Sequence, residues 1–545
     1  MISHYFHTIR YLKLKQIFFR VFFYLTRPSI NKSSKFDLRI LKNNFCLPIQ
    51  KKPTLLKREK FFFLNKSETL SEIGWNGSSN KISKLWRYNQ HYFDDLNALG
   101  FSNRKEWHKY LITNWINENS IGKGIGWEPY TTSLRIVNWI KWHLLGNSLS
   151  DNFAQSLEKQ AQWLFKRIEW HILGNHLFSN AKALVFAGLF FSNKNAKKWL
   201  KTGLKIIHEE LNEQVLNDGG NFERSPMYHS IFLEDLLDLI NIARAYEGII
   251  TETEIHKWVE VTKQMLKWLD TMVHPDGEIA FFNDAALGVG PDLKKLIIYA
   301  NRLGINYNSH KFEKVTNLSA SGYIRLTSKE AVALLDVAVI GPDYLPGHAH
   351  ADTLSFELSL FGQRLLVNTG TSEYGTGSVR QYERSTKAHN TVMIDNKNSS
   401  ETWKGFRVAR RAYPINLNVE EQDEFIRVSC AHDGYKRLTG KPVHQRTWQF
   451  FGSSFIIKDN VEGSFESAFA YFHLHPKIHI LKNSTNNFNF TMSNGKDVTL
   501  EVKKGIAQLE KSYYSPEFGK KYETRCLKVA LDKKDGSNIK ISWKN

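Results

Sequence analysis

The chain has 545 residues, which exceeds one ordinary hydrophobic core and predicts two or more domains. A hydrophobic fraction of 42% and an aromatic fraction of 13% exclude a disordered chain. The formal net charge of +20 favours a polyanionic partner: a nucleic acid, an anionic membrane surface or an acidic glycan. Zinc-finger spacing, a Walker loop and RNP-type aromatic motifs are all absent from the sequence, so we expect no nucleic-acid partner.

Residues 1–83 are predicted to form a basic extension. Their start, MISHYFHTIRYLKLKQIFFRVFFYLTRPS, is basic and aromatic, Arg20 interrupts its apolar stretch, and no small-residue cleavage site follows. The pattern fits neither a signal peptide nor a membrane span, but it fits an amphipathic helix lying on a membrane or against the protein itself. Without a cleavable signal we expect a cytoplasmic protein, with the periplasm as the alternative.

The spacing of apolar residues changes along the chain and predicts two further domains. Over residues 84–302 they mostly recur at helical spacing, as in RIVNWIKWHLL and IFLEDLLDLINIARAY, which predicts a helical domain. Over residues 322–545, short alternating runs such as GYIRLT and AVALLDVAV predict many antiparallel strands in a sandwich. The domain boundary is therefore expected within residues 303–321.

Four short segments concentrate polar and ionisable side chains. Asn175 and His176 stand before an apolar helix, where helix capping is the simpler explanation. The irregular loop DGGNFERSPMYHS precedes another helix, and its tyrosine has packing as the alternative role. His348 and His350 alternate, so both would face one side of a strand or extended loop, and HxH is also a common metal-ligand spacing. The long glycine-containing segment VNTGTSEYGTGSVRQYERSTKAHN indicates a functional loop or lid.

In this order the segments resemble the heparinase II/III family of polysaccharide lyases, which includes related alginate and heparin/heparan lyases. The resemblance covers most of the chain and rests on LWRYNQHYFDDL, GWEPYTTSLRIVNWIKW, GNHLFSNAKAL, SPMYHS, GHAHADTLSFEL, GQRLLVNTGTSEY and RSTKAHNTVMID. It implies a helical (α/α) toroid followed by an antiparallel β-sandwich, in agreement with the two predicted domains. It also implies a carbon–oxygen lyase whose partner is an acidic polysaccharide.

The resemblance further implies roles in a β-elimination at C4 of a uronic acid. Asn175, assisted by His176, would neutralise the substrate carboxylate so that the C5 proton can be removed. Tyr228 would be the acid and, for one uronate stereochemistry, also the base, while His348 would be the base from the other side. Nearby cations would have to help a tyrosine with an ordinary pKa of about 10 to ionise. The residues expected to contact substrate or to assist Tyr228 are Arg224, His229, Tyr382 and Arg384.

A structural zinc is bound in some relatives at positions that match His350 and His389. The third ligand there is an aspartate, whereas this chain has Asn368, and an uncharged amide is a poorer zinc ligand than a carboxylate. The zinc site formed by these three residues is therefore open to question. Without zinc, His350 and His389 would form a hydrogen-bonded pair in the core.

Two other functions are compatible with the same motifs. A uronyl C5-epimerase would abstract the same proton and return it to the opposite face without expelling O4, and the missing signal peptide favours such a biosynthetic role. A non-catalytic glycan-binding protein would keep the cleft but lack turnover. The joint presence of Asn175, Tyr228 and His348 argues against this last alternative.

Overall fold

The structure is a computed structural model that describes residues 2–30, 37–77, 82–148, 150–309 and 311–544. Its helices lie mostly in the first part of the chain. In order they are α1 (Ile2–Ile9), α2 (Leu14–Leu25), α3 (Leu70–Ile73), α4 (Lys84–Tyr92), α5 (Lys105–Glu118), α6 (Pro129–Leu144), α7 (Asp151–Lys166), α8 (Gly174–Phe190), α9 (Lys194–Gln214), α10 (Pro226–Ala245), α11 (Glu252–Thr271), α12 (Leu293–Arg302) and α13 (Ser378–Glu383). Short 3₁₀ helices lie at Asp94–Asn97, Phe101–Arg104, Ile125–Trp127 and Thr386–Ala388.

The strands lie mostly in the second part of the chain. In order they are β1 (Leu55–Lys57), β2 (Lys60–Phe63), β3 (Lys66–Thr69), β4 (Val315–Leu318), β5 (Tyr323–Thr327), β6 (Ala331–Asp336), β7 (Phe356–Leu360), β8 (Gln363–Leu366), β9 (Val392–Ile394), β10 (Thr402–Trp403), β11 (Arg407–Val408), β12 (Pro414–Glu421), β13 (Phe425–His432), β14 (Val443–Phe451), β15 (Ser454–Glu462), β16 (Ala468–His473), β17 (His479–Asn483), β18 (Asn487–Thr491), β19 (Asp497–Lys504), β20 (Ile506–Tyr514), β21 (Tyr522–Ala530) and β22 (Ser537–Trp543).

The helical domain is organised around α8. Residues 177–190 of this helix are all buried, including Lys182, whose ammonium pairs with Asp238 of α10. It packs against α6, α9 and α10, and Phe178 stacks on Phe232 of α10 with ring centroids 4.0 Å apart. The helix therefore has a rigid body, and its first turn, which carries Asn175 and His176, is held firmly at the edge of the domain.

The predicted extension is wrong for much of its length. Residues 37–77 include the three-stranded sheet β1–β2–β3, and their side chains Phe61, Phe63 and Trp75 belong to the apolar core of the helical domain. The ring of Phe63 lies 5.1 Å from that of Trp86 in α4. These aromatic residues show no regular spacing in the sequence, and they are buried by contacts with helices distant in the sequence. The helical domain therefore begins well before residue 84.

The second domain is the expected antiparallel sandwich. One layer is an eight-stranded sheet of order β12–β13–β14–β15–β22–β19–β18–β17. The other layer combines the sheets β4–β5–β6–β7–β8 and β20–β21–β16–β9, which are joined by a bridge between Leu366 and Leu474. Phe356 packs between the layers against Trp448 and Phe455. The first strand of the sandwich starts at Val315, a few residues earlier than predicted, and the last helix before it, α12, ends at Arg302.

The two domains are joined by buried polar contacts as well as by apolar packing. The guanidinium of Arg325 donates to the carbonyls of Thr271 and Val273, and His274 lies 2.8 Å from the Glu357 carboxylate. Since His274 and Glu357 come from different domains and both are fully buried, these contacts hold the two walls of the intervening cleft in a defined position.

Candidate active site

The first turn of α8 forms one wall of the cleft. Asn175 and His176 lie inside the helix, so the capping interpretation of Asn175 is wrong: the N-cap is Leu173, which makes no side-chain cap bond. Leu173 has φ 69° and ψ −161°, a conformation that costs about 1–3 kcal/mol for a residue other than glycine and occurs mainly at functional sites. At Gly174, where φ is 57°, a Cβ atom would lie 2.4 Å from Leu345 and 2.9 Å from Glu223, so a larger residue would be strained and would displace both side chains.

His176 is held by two neighbours. Its ring lies against Tyr130, with centroids 4.4 Å apart, and its Nδ1 is 3.2 Å from the Glu169 carboxylate. Burial disfavours the imidazolium, but the charge and hydrogen bond of Glu169 outweigh burial and raise the pKa of His176 above its ordinary value. His176 is therefore suited to present a positive charge to an anionic ligand.

Tyr228 lies in the first turn of α10. This helix begins with Ser225 as its N-cap, whose hydroxyl accepts from the backbone N–H of Tyr228 at 3.2 Å. The hydroxyl of Tyr228 is 3.0 Å from that of Tyr374, which the predicted glycine-containing loop supplies. Burial and the neighbouring Tyr374 and Asp284 raise the pKa of Tyr228 well above its ordinary value, so the phenol stays protonated.

A buried carboxylate orients His348. Asp284, which precedes α12, accepts hydrogen bonds from Nδ1 of His348 at 2.9 Å and Nε2 of His350 at 2.8 Å, and it is paired with the guanidinium of Arg380. Burial opposes ionisation of Asp284, but Arg380 and the two histidines hold its pKa well below the ordinary range. Because Nδ1 of His348 donates to this carboxylate, its Nε2 is the nitrogen left to accept a proton.

Glu223 connects the two walls. Its carboxylate accepts from the backbone N–H of Asn175, and its Oε2 lies 4.0 Å from Nε2 of His348. This Oε2 is buried and has no hydrogen-bond partner among the described residues. Burial raises the pKa of Glu223, although His348 and His176 oppose the change. An orphan polar atom at this position indicates a site for a ligand group.

These contacts bring Asn175, His176, Tyr228 and His348 to one cleft. The expectation that Tyr228 and His348 approach from different sides is wrong, because their rings stack with centroids 3.8 Å apart and an interplanar angle of 28°. Phe406 contacts the same His348 ring edge-on at 6.0 Å. One wall of the cleft is therefore formed by stacked aromatic rings from both domains.

Two of the predicted assisting residues are used elsewhere. Arg224, in the left-handed region with φ 58°, donates to the carbonyls of Ser321 and Val339 and thereby ties the helical domain to the sandwich. His229 is fully buried, bonded to the Met265 carbonyl at 2.9 Å and stacked on a tryptophan. Neither side chain helps Tyr228 to ionise, which agrees with the raised pKa of that phenol.

The two residues predicted to bind substrate from the sandwich also have other partners. The guanidinium of Arg384 is fully buried and donates to the backbone carbonyls of Ala349 and Arg407, so it holds the loop that carries His348. Burial raises the pKa of Tyr382 to about 12, and its hydroxyl is bonded to Ser512, away from the cleft. Closeness in sequence to the motif histidines therefore did not predict which side chains line the cleft and which support its loops.

Two of the three proposed zinc ligands lie close together. His350 Nδ1 lies 3.1 Å from His389 Nε2, and His389 Nδ1 is bonded to the Ser385 carbonyl. Asn368 donates to the Phe281 carbonyl and accepts from the backbone N–H of Asn390, so both of its polar atoms are engaged. Within the described ranges, no three His, Cys, Asp or Glu side chains are grouped as a metal site would require. His350 and His389 therefore lack the third ligand that the resemblance implied, because Asn368 is engaged elsewhere.

We expect purified protein to hold substoichiometric zinc by elemental analysis, and a chelator to leave its melting temperature unchanged. The reason is that both polar atoms of Asn368 already have protein partners, which leaves His350 and His389 without a third ligand. One tightly held zinc per chain, with a fall in melting temperature after chelation, would contradict this prediction.

Asp284 and Arg380 are among the residues of the site that were missed in the sequence. Asp284 stands alone in the apolar segment IAFFNDAALG, and a single acidic residue in such a segment was the signal for a buried, paired carboxylate. Arg380 lies in the glycine-containing loop, and its side chain is completely buried against Asp284 and 4.9 Å from the Tyr374 ring centroid. Spacing could not reveal this pair, because almost one hundred residues separate its members.

Curated relatives of the chain are heparin-sulfate lyases. That of Bacteroides stercoris is 28% identical over 303 residues, covering 52% of this chain and 43% of that protein. That of Pedobacter heparinus is 24% identical over 327 residues, covering 54% of this chain and 48% of that protein. The aligned segments thus span less than half the length of these two relatives.

The fold and the family are shown by two further comparisons. A crystal structure of heparinase III superposes with a TM-score of 0.71 at 19% identity, covering 86% of this chain and 79% of that chain, so the chain shares its toroid and sandwich. The family model "Heparinase II/III N-terminus" matches residues 56–301, and the model "Heparinase II/III-like, C-terminal" matches residues 312–544. Because these two matches together cover most of the sequence, the chain belongs to the heparinase II/III family.

Proposed function

We propose that this chain is a polysaccharide lyase that cleaves an acidic, uronate-containing glycan by β-elimination. The observation that carries the proposal is the stacked pair of Tyr228 and His348 in one cleft, with a protonated phenol beside an imidazole that a buried carboxylate orients. A proton donor and a proton acceptor side by side are what such an elimination requires.

His348 is the proposed base. The bond from its Nδ1 to Asp284 leaves Nε2 to take the C5 proton, and the Asp284 carboxylate stabilises the imidazolium that results. As the C5–H bond breaks, its electron pair forms the C4–C5 double bond and the C4–O4 bond breaks. Tyr228 is the proposed acid, because its raised pKa keeps a proton available for the departing O4.

The substrate carboxylate must be neutralised before C5 can lose its proton. Asn175 offers an amide donor, and His176, whose pKa is raised by Glu169, offers a positive charge. Glu223 adds a third group: its raised pKa and its orphan Oε2 suit a carboxyl that takes up a proton beside an incoming carboxylate and donates it in a hydrogen bond. All three lie at the same end of the cleft.

The stacked geometry also favours one substrate stereochemistry. With the acid and the base on the same wall, the hydrogen on C5 and the oxygen on C4 must leave from the same face of the sugar ring. Uronates of the glucuronate configuration meet this condition, whereas the C5 epimers of the iduronate configuration present the two groups on opposite faces. We therefore propose glucuronate-type units as the preferred site of cleavage.

The test is incubation with defined uronate polymers and measurement of the ultraviolet absorbance of the unsaturated product. Growth of this absorbance with glucuronate-type polymers, and much slower growth with iduronate-type ones, supports the proposal. Uptake of solvent deuterium at C5 without chain cleavage would instead identify an epimerase. Binding with neither reaction would identify a glycan-binding protein.

Glycan affinity is expected to fall steeply with ionic strength. A chain with a net charge of +20 gains part of its attraction to a polyanion from charges that salt screens, with a Debye length of about 8 Å at physiological ionic strength. Titration calorimetry at low and high salt checks this expectation, and an affinity that stays constant would count against an acidic glycan.

A further inference from the structure

The N-terminal hairpin, defined here as α1 and α2 (residues 2–25), packs against loops that border the cleft. The ring of Tyr5 lies 4.8 Å from that of Trp403 in the β10–β11 hairpin, which also carries Phe406 beside His348. The Lys13 ammonium lies 3.7 Å above the Tyr344 ring. The inner side of α1 and the start of α2 are thus fixed to the sandwich.

The second helix continues this attachment on the helical domain. The ring of Phe23 lies 4.2 Å from that of His171, in the loop that leads into α8. The guanidinium of Arg167 lies 3.4 Å from the centroid of the Phe23 ring. Phe19 lies 6.0 Å from Trp170 in the same loop, and Gln16 is buried. The hairpin therefore has a defined inner face in contact with both domains.

The outer face of the hairpin is apolar and exposed. On α2 a stripe of large apolar side chains recurs at helical spacing, and its members are 42% to 84% exposed in the part of the chain that the structure describes: Leu14, Ile17, Phe18, Val21, Phe22 and Leu25. On α1, Ile2, Phe6 and Ile9 are 51% to 88% exposed. Such a stripe normally faces a protein core, but here the side of α2 that faces the protein carries Gln16, Phe19 and Phe23. A contiguous apolar surface of this kind marks an interaction site.

The charges of the hairpin itself are of one sign, although Lys13 pairs with Glu213 of α9. Residues 1–30 contain no Asp or Glu and five cations: Arg10, Lys13, Lys15, Arg20 and Arg27. Arg20 and Arg27 are both exposed. An apolar face bordered by cations is complementary to an anionic lipid surface, whereas a second copy of this chain would bring like charges together.

The helix α2 is too short to cross a membrane. It has 12 residues, about 18 Å at 1.5 Å per residue, against about 30 Å for the hydrocarbon core of a bilayer. In the described ranges, no helix has the combined length and apolarity that a membrane crossing needs. The stripe suits a helix that lies in the plane of the headgroups.

We propose that the N-terminal hairpin docks this protein onto an anionic lipid bilayer, with the stripe of α2 and the apolar residues of α1 buried at the headgroup boundary. Because the hairpin rests on Tyr344 and Trp403, whose loops border the cleft, docking holds the cleft close to the bilayer surface. This interaction goes beyond the proposed lyase reaction and does not depend on it.

The full chain is tested by co-sedimentation with vesicles of phosphatidylcholine alone and of phosphatidylcholine with phosphatidylglycerol. We expect binding to the anionic vesicles and little to the neutral ones. The double variant Phe18→Ser/Phe22→Ser keeps every charge and should lower binding by about tenfold or more, because the buried apolar area sets the strength of interfacial binding. The double variant Arg20→Gln/Arg27→Gln should lower binding to the anionic vesicles only.

A matched control replaces two equally exposed apolar residues of the sandwich, Phe451→Ser/Ile506→Ser, and should bind vesicles like the unaltered chain. Circular dichroism and melting temperature confirm that each variant folds. Equal vesicle binding by Phe18→Ser/Phe22→Ser, or none by the unaltered chain, would overturn the proposal. So would a concentration-dependent dimer that this variant abolishes, since the stripe would then cover a second copy.

Discussion

Tyr228→Phe is expected to lower turnover severely while leaving glycan binding almost unchanged. The substitution removes only the hydroxyl, and the ring that stacks on His348 at 3.8 Å remains. Loss of a general acid typically lowers the rate about 10²- to 10⁴-fold. The rate of unsaturated-product formation measures the loss, and titration calorimetry with the same polymer measures binding.

Two further tyrosine variants test whether the loss of activity comes from the missing Tyr228 proton or from a general effect of removing a buried hydroxyl. Tyr435→Phe removes a buried hydroxyl that donates to the Val392 carbonyl inside the sandwich, far from the cleft, and should keep turnover. Tyr374→Phe removes the hydrogen-bond partner of Tyr228 but not its proton, so we expect a smaller loss than with Tyr228→Phe. If Tyr228→Phe retained full activity, the phenol would be a packing residue and the proposed acid would have to be sought elsewhere.

Asp284→Asn is expected to damage both activity and stability. The asparagine amide cannot accept from Nδ1 of His348, from Nε2 of His350 and from Arg380 as the carboxylate does. His348 then loses the contact that leaves Nε2 free to accept a proton, and we expect turnover to fall about 10²- to 10⁴-fold. The buried guanidinium of Arg380 also loses its counter-charge, which is expected to lower the free energy of unfolding by about 3–5 kcal/mol.

The pH dependence has a defined sign. The folded-state pKa of Asp284 is held well below its ordinary value, so its stabilising contribution is complete above the unfolded pKa of about 3.9 and is lost as pH falls through the folded pKa. Urea unfolding as a function of pH should therefore show an acid-side loss of stability in the unaltered chain that is reduced in Asp284→Asn.

Asp276→Asn is the matched control, since Asp276 also pairs with an arginine, Arg364 at 2.8 Å, but its side chain is 37% exposed. Because Arg364 also donates to the carbonyls of Glu278 and Ile279, we expect a smaller loss of stability than with Asp284→Asn, and normal turnover. A double-mutant cycle adds a test of mechanism: if Asp284 acts through His348, the double variant Asp284→Asn/His348→Ala should be no less active than His348→Ala alone. Additive losses would show that Asp284 acts independently of this histidine.

Much of the architecture follows from sequence patterns. Helical spacing up to Arg302 and alternating runs after it reflect burial of one face of each element, so periodicity alone separated the two domains. Residues 37–77 escaped this reasoning, because the burial of Phe61 and Trp75 depends on contacts with distant helices and leaves no local period.

The sequence by itself determined the family, the order of the two domains and the four side chains that meet in the cleft, since these are carried by contiguous motifs around Asn175, Tyr228 and His348. Only the tertiary structure decided how those side chains work. The Asp284–Arg380 pair and the Tyr228–His348 stack join residues about one hundred positions apart, and pairing in a buried site depends on three-dimensional proximity, which no spacing records. The same reason explains why Arg224, His229 and Arg384, adjacent to the motifs in sequence, prove to be parts of the scaffold.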